Sequence, residues 1–456
     1  MRLDMAQRSS NAAAEDTNKE SQSENITFRV RGVPANWGRE QLQHCLMNQV
    51  NGLHMSIRSL ATEAGEQYQS ATIAFQNLPP QLQNHLNWDI IVPDTSNAEF
   101  AGERCLNIDK DFYGLTTLFA PPPREHKIDI IALSGLGSHA FGSFRQRKGP
   151  NMWLRDSLPY DLTSETTNKP MARIMIYGYE SDVVNSNNTQ NLEDLATAFH
   201  NSLLAIATGS TLKPIIFIGH SLGGLNIKQL LICLSRSEFQ QDKEFLGAVY
   251  GVVFFGTPHD GMDIRALISM AGDGPNRFLL ESISRNSQVL STQQRDFCSA
   301  LEGQKQSEVF CFYETLESPT AVQDEFGRWT NTGHAAILVT KSSATHCRPW
   351  EDGPEHICAI ARTHSGIVKF GRYDTAYKNV RERMRSLSKR ALAAGDQPQE
   401  ETAKFLVPYT PNPDFINGPK IQSEIEYHFG LGGYGGFLSR VQGFHSVALA
   451  AQEKHK

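Results

Sequence analysis

Apolar positions along this chain follow two rhythms. Near-continuous apolar runs stand at Ile128–Leu133, Arg173–Tyr177, Ile215–Ile218, Ala248–Phe255, Val309–Tyr313 and Ala335–Val339. Between them lie stretches with helical spacing: Leu192–Ala207, Leu222–Ser235 and Arg277–Leu301. Runs with no polar face, alternating with helices, predict strands buried on both sides in a parallel sheet. Right-handed crossovers then make residues 124–375 an α/β domain with a doubly wound, mostly parallel sheet.

The N-terminal part has a different pattern. Residues 1–24 are polar with no apolar period and are expected to be a disordered tail. From residue 25 to 120 the spacing predicts a small α+β domain. Phe28–Arg31 alternates like a strand, Arg39–Met47 puts Leu42, Cys45 and Leu46 on one helical face, and His54–Leu60 and Gln69–Phe75 alternate again. A β-α-β-β order of this kind resembles ferredoxin-like, RNA-recognition-motif domains. Such domains stack bases on strand aromatics. Here Arg29, Ser70 and Thr72 stand where those aromatics would fall, so a packing or protein-partner role is expected, with no nucleic acid. Pro121-Pro122-Pro123 marks the boundary to the next domain.

Beyond residue 375 a charged helix, Ala376–Ala393, carries Arg381, Arg383, Arg385, Lys389 and Arg390. It reads as a solvated face, with an acidic partner or membrane surface as the alternative. A proline-rich linker, Pro408–Asp414, follows, so residues 376–418 form a helix and linker. Lys+Arg 43 against Asp+Glu 49 leaves −6, which excludes a generally basic nucleic-acid binder. No apolar run approaches the ~20 residues of a membrane span. The N-terminus has no apolar core of a secretory signal, and seven cysteines without paired spacing suggest reduced thiols. An intracellular, cytoplasmic protein is expected.

One segment carries chemistry. Ile215-Ile216-Phe217-Ile218 runs into Gly219-His220-Ser221-Leu222-Gly223, and an amphipathic helix follows. This is G-x-S-x-G between a strand and a helix, the nucleophile elbow of an α/β-hydrolase. The serine sits on a tight turn, and Gly219 and Gly223 remove the Cβ atoms that would clash there. A serine hydroxyl needs a general base and an orienting acid, which in this fold follow it in the order acid, then histidine. Glu314 closes the strand Val309–Tyr313 at the sheet edge where ligands bind, and is the expected acid. Asp324 and Glu325 are rivals, and Asp260 a weaker one. His364 is the expected base, against His334, His346 and His356, while His259 reads as a hydrogen-bonded loop histidine. The oxyanion donors are expected to be the backbone N–H groups of Leu222 and Leu136. Phe141–Asp161, with Trp153 and Tyr160, suits either a pocket cover or core packing.

Together with Trp153–Pro159, Arg173–Tyr179 and Phe254–His259, these residues resemble the SERAC-type, lipase-like serine esterases, relatives of the GPI inositol-deacylase group. The resemblance implies a serine esterase or lipase with the triad Ser221, Glu314 and His364, acting on an ester or lipid, with no metal or cofactor. It also implies peripheral contact with an organelle membrane. Two departures stand out: Ser134-Gly135 where the family shows His-Gly, and Thr363 where it has Asp before the base. Pro408–Phe415 resembles the entry to the nucleotide-binding domain of fungal NOD-like proteins. Gly430–Gly435 looks like the start of a phosphate-binding loop, but Gly436 and Phe437 replace the Lys and Ser/Thr that loop needs. Residues 419–456 are therefore expected to be a non-functional remnant of a truncated chain, with no ATP or GTP bound. The expected function is hydrolysis of carboxylic esters through an acyl-enzyme. The alternative is a non-catalytic recognition or signalling module on the same scaffold.

Overall fold

A computed structural model describes residues 26–395, apart from 51–53, 66, 84, 94–102, 208–211, 303–306, 349–350 and 352. The expected N-terminal tail, the linker and the nucleotide-domain remnant lie outside the described residues.

The N-terminal strands are β1 (Phe28–Pro34), β2 (Met55–Thr62), β3 (Tyr68–Phe75), β4 (Asn87–Pro93) and β5 (Glu103–Asp109). They form an antiparallel sheet in the order β2-β3-β1-β5-β4. Helix α1 (Arg39–Met47) buries Leu42 and Leu46 against Phe28, Val30, Ile73, Leu106 and Ile108. Among the described residues between β3 and β4 there is a single helical turn, at Pro80–Gln83, and β4 pairs with β5 beyond it. The opposite sheet face, where Arg29, Ser70 and Thr72 lie, is covered by the rest of the chain. Arg29 bonds Asp109 at 2.9 Å and Thr116 at 2.7 Å. Ser70 Oγ donates to the Thr117 carbonyl, and Arg155 donates to Thr72 Oγ1.

The second sheet has seven strands. They are β6 (Gly114–Phe119), β7 (Ile128–Leu133), β8 (Ala172–Gly178), β9 (Ile215–His220), β10 (Val249–Phe255), β11 (Glu308–Glu314) and β12 (Ile357–Ile360), in the order β12-β11-β10-β9-β7-β8-β6. All neighbours are parallel except β6, which runs antiparallel to β8 at one edge. Ile130, Ile218 and Phe255 pack on one face, and Ile131, Phe217 and Phe254 on the other. Both faces are thus dry, as a sheet sandwiched between helices requires. These helices include α2 (Leu192–Ala207), α3 (Leu222–Arg236), α4 (Gln288–Glu302) and α5 (Thr375–Gly395). The chain leaves β7 toward β8, then returns across to β9 on the other side of β7. This reversal is the switch point where open α/β sheets form their ligand crevice.

Three expectations are corrected. Gly114–Phe119, placed in the 25–120 domain, is an edge strand of the second sheet, so the sheets part near Phe112. Ala335–Val339 is not a strand of the main sheet: only Ala335–Ala336 pairs, with Ser318–Pro319, and Ile357–Ile360 takes the edge position. A short apolar run is equally suited to a loop plugged into the core, and here Val339 is that plug. Finally, Arg277–Leu301 is broken into Arg277–Ser282 and α4, with Asn286 between them at φ 60°. A left-handed residue ends helical propagation.

Candidate active site

Strand β9 ends at His220, and α3 starts at Leu222. Ser221 between them has φ 52° and ψ −123°. A serine pays steric energy in that region, and such strain persists only where the surroundings over-determine it. Its N–H donates to the Phe255 carbonyl at 3.0 Å, which ties the turn to β10. A Cβ on Gly219 would sit 2.5 Å from Gly224 Cα, and one on Gly223 would sit 2.4 Å from the Ser134 carbonyl oxygen. Both contacts are with backbone that cannot step aside, so the sequence has glycine at each.

Three chain segments converge on the serine. His364 Nε2 lies 3.0 Å from Ser221 Oγ, and His364 Nδ1 lies 2.6 Å from Glu314 Oε2. A carboxylate can only accept, so Nδ1 carries the proton and Nε2 presents its lone pair to the serine hydroxyl. Ser221, Glu314 and His364 are all buried. Glu314 sits at the end of β11, and its second oxygen accepts the Val339 N–H at 3.1 Å. The His364 backbone is held at both ends: its N–H donates to Ser318 Oγ at 2.9 Å, and its carbonyl accepts from His220 Nε2 at 3.0 Å.

His220 donates from Nε2, so its Nδ1 is an acceptor, and this buried atom has no hydrogen-bond partner among the described residues. Burial, followed by the neighbouring His364, lowers its pKa from 6.5 to about 3, so the ring stays neutral. The loop after β7 packs directly on this pair. A Cβ on Gly135 would come within 2.8 Å of Ser221 Cβ and 3.1 Å of His220 Nδ1. Tyr179 holds the loop through the Ser134 carbonyl at 2.8 Å. Leu136 follows in that loop, and Leu222 opens α3, where the first N–H groups have no acceptor within the helix. Both belong to an apolar cluster with Leu225, Met262, Leu279 and Val339.

The rival residues lie elsewhere. Asp324 accepts the N–H groups of Phe326 and Arg328 in its own loop, and Asp260 is exposed. His334 and His346 are exposed, and His356 bonds the Val309 carbonyl at the opposite end of β11. Trp153 is core, its indole N–H donating to the Val368 carbonyl, while Tyr160 is exposed. Val339, Ser318 and Tyr179 escaped the sequence reading because their roles depend on distant segments returning to the site. His220 was visible inside the motif, but nothing local shows that its ring reaches residue 364.

His259 is buried away from the serine, with Nδ1 3.5 Å from Lys228 Nζ and Nε2 3.9 Å from Cys311 Sγ. Burial, then Lys228, pushes its pKa well below 6.5. His259, Cys311 and Cys347 point their ligand atoms to within 4.8 Å of one another, a donor set suited to a soft cation. The Lys228 amine beside the ring is a poor neighbour for one, because the usual partner of a metal-bound imidazole is an acceptor.

No protein-family profile matches the chain. Protein SERAC1 of Bos taurus is 27% identical over 209 residues, which cover 42% of this chain and 30% of the relative. The Mus musculus protein is 27% identical over 208 residues, covering 41% and 30%. The matched stretch thus spans under a third of these curated relatives. Among solved structures, phospholipase PlaB from Legionella pneumophila aligns over 59% of this chain and 61% of its own, at 11% identity and TM-score 0.36. The Bacillus licheniformis lipase BlEst2 aligns over 59% and 94%, at 15% identity and TM-score 0.33. The parallel sheet and the strand–serine–helix turn are those of an α/β-hydrolase fold, and over the matched stretch the chain is similar to SERAC1.

Proposed function

We propose that the protein hydrolyses carboxylic esters, with Ser221 as nucleophile, His364 as general base and acid, and Glu314 as the group that orients and stabilises the imidazolium. The observation that carries this reading is the pair of contacts on one ring, 3.0 Å to the serine and 2.6 Å to the glutamate. Ser221 Oγ attacks the ester carbonyl as its proton passes to His364 Nε2. The negative charge on the carbonyl oxygen is met by the N–H groups of Leu222 and Leu136, each worth ~3 kcal/mol. His364 then gives the proton to the departing alcohol. Water, activated by the same ring, attacks the acyl-enzyme and restores Ser221.

The apolar cluster of Leu136, Leu222, Met262 and Leu279 beside the serine favours an acyl chain over a polar acid. Glu314 stays a carboxylate acceptor throughout, and no step needs a metal or redox cofactor. Among the described residues no helix is long and apolar enough to cross a membrane.

The test is turnover of p-nitrophenyl esters of graded chain length. Wild type is expected to hydrolyse them and Ser221→Ala to lose that activity while staying folded. A folded wild type with no turnover at any chain length would leave the scaffold as a recognition module.

A further inference from the structure

The two donors proposed for the oxyanion sit on unlike supports. The Leu222 N–H opens α3 and is aimed by the helix. The Leu136 N–H belongs to the loop after β7, outside any helix or strand. A loop N–H stabilises developing charge only if its peptide plane is already fixed when the charge appears.

The neighbouring strand's loop does that fixing. β7 and β8 are parallel, with Leu133 opposite Tyr177, so residues 134–137 and 179–181 leave the sheet side by side. Tyr179 Oη donates to the Ser134 carbonyl at 2.8 Å. Ser181 Oγ donates to the Gly135 carbonyl at 3.4 Å, a longer bond. The Gly137 N–H donates to the Ser181 carbonyl at 2.7 Å. In a planar trans peptide the carbonyl of one residue and the N–H of the next point in opposite directions. Ser181 Oγ therefore acts on the peptide that carries the Leu136 N–H, and the bonds at Ser134 and Gly137 fix the peptides on either side of it. Among the described residues the Leu136 N–H itself meets no acceptor, which leaves it open to a ligand.

The loop is also wedged against the nucleophile. A Cβ on Gly135 would come within 2.8 Å of Ser221 Cβ, and the Ser134 carbonyl oxygen lies 2.4 Å from where a Cβ on Gly223 would stand. Tyr179 is suited to hold it. Its ring stacks on Tyr177 with centroids 6.1 Å apart. Burial, then Tyr177, raises the pKa of its phenol, so the hydroxyl keeps the proton it donates. From this geometry we infer that Tyr179 and Ser181 are positioning residues, which aim the Leu136 N–H at the oxyanion by holding the carbonyls of Ser134 and Gly135. The inference rests on the ester-hydrolysis reading of Ser221 and adds two residues that act through the loop's backbone.

Tyr179→Phe keeps the ring and removes the donor, and Ser181→Ala gives a second reading if the first variant misfolds. On the full-length chain, p-nitrophenyl ester kinetics are compared with inhibition by an alkyl trifluoromethyl ketone and with hydrogen exchange over residues 133–138. The ketone adds Ser221 Oγ at its carbonyl carbon, the hydroxyl proton passes to His364, and the former carbonyl oxygen becomes the oxyanion. Tyr179→Phe is expected to lower kcat roughly tenfold with KM within about twofold, and to raise the ketone's Ki by the same factor as kcat falls. Exchange over the loop should quicken. Ser181→Ala should cost about threefold, as suits the longer bond. A merely structural role would reduce the fraction of sites titrated by a fluorophosphonate while leaving kcat per titrated site and Ki as in wild type, and that result overturns the inference. The exchange measurement needs no turnover, so the two readings fail separately. A wild type that hydrolyses no ester while the loop loosens in Tyr179→Phe sinks the hydrolase reading and leaves the loop-holding role standing. An active wild type that Tyr179→Phe matches in kcat, Ki and exchange sinks this inference alone.

Discussion

Two buried histidines lie beyond the C-terminal ends of β10 and β12, on either side of β11, and their surroundings separate their chemistry. His364 has a carboxylate at 2.6 Å on one nitrogen and a hydroxyl at 3.0 Å on the other. His259, just past β10, has an amine at 3.5 Å and a thiol at 3.9 Å. A proton arriving on His364 is stabilised by Glu314. A proton arriving on His259 meets Lys228 in a site from which water is excluded, and its pKa is driven down. Burial alone does not make a base. The difference lies in whether an opposite charge waits for the ring when it ionises.

The largest effects should fall on the first histidine and its serine. Ser221→Ala or His364→Ala is expected to lower kcat by ~10⁶, read as p-nitrophenyl ester turnover. Glu314→Gln is expected to cost ~10⁴, since an amide N–H facing Nδ1 favours the wrong tautomer. Wild-type rates in Glu314→Gln would break the comparison at its base.

An intermediate effect concerns pH. His220 has a folded pKa of about 3 against an ordinary 6.5. Above 6.5 the ring is neutral folded and unfolded, so it adds nothing to the pH dependence. Between 6.5 and about 3 only the unfolded chain takes up the proton. Stability should therefore fall with acidification through that window, by at most ~1.4 kcal/mol per pH unit from this group. Urea midpoints between neutral and acidic pH should show a shallower decline in His220→Gln; an unchanged slope would contradict the buried neutral ring.

The smallest expected effect on catalysis belongs to His259→Asn. Ester turnover should stay within about threefold of wild type, while stability falls by ~1–3 kcal/mol as buried neighbours lose a partner. A rate loss near that of Glu314→Gln would instead place His259 in the reaction.

Much of the candidate site's geometry was legible because its residues stand where the chain exits a strand. The glycines around Ser221 report a turn that is local in sequence, and Glu314 is the last residue of an apolar run. The partners that hold these groups were not legible. Val339 looked like part of a strand, but its N–H holds Glu314, and that use appears only once residues 335–339 fold back on β11. Arg29 shows the same limit in the N-terminal sheet. Its strand alternates, but nothing local shows that it is 1% exposed, which follows because β6 belongs to the neighbouring sheet and lies across it. Residues that answer to their own neighbours in sequence were readable, and those that answer to another sheet were not.

The most direct measurement is the site of covalent modification by a fluorophosphonate. The chain is labelled, digested and sequenced by mass spectrometry. The account predicts one adduct on Ser221, lost in Ser221→Ala and strongly slowed in His364→Ala. Labelling of another serine, or equal labelling of wild type and Ser221→Ala, would contradict it.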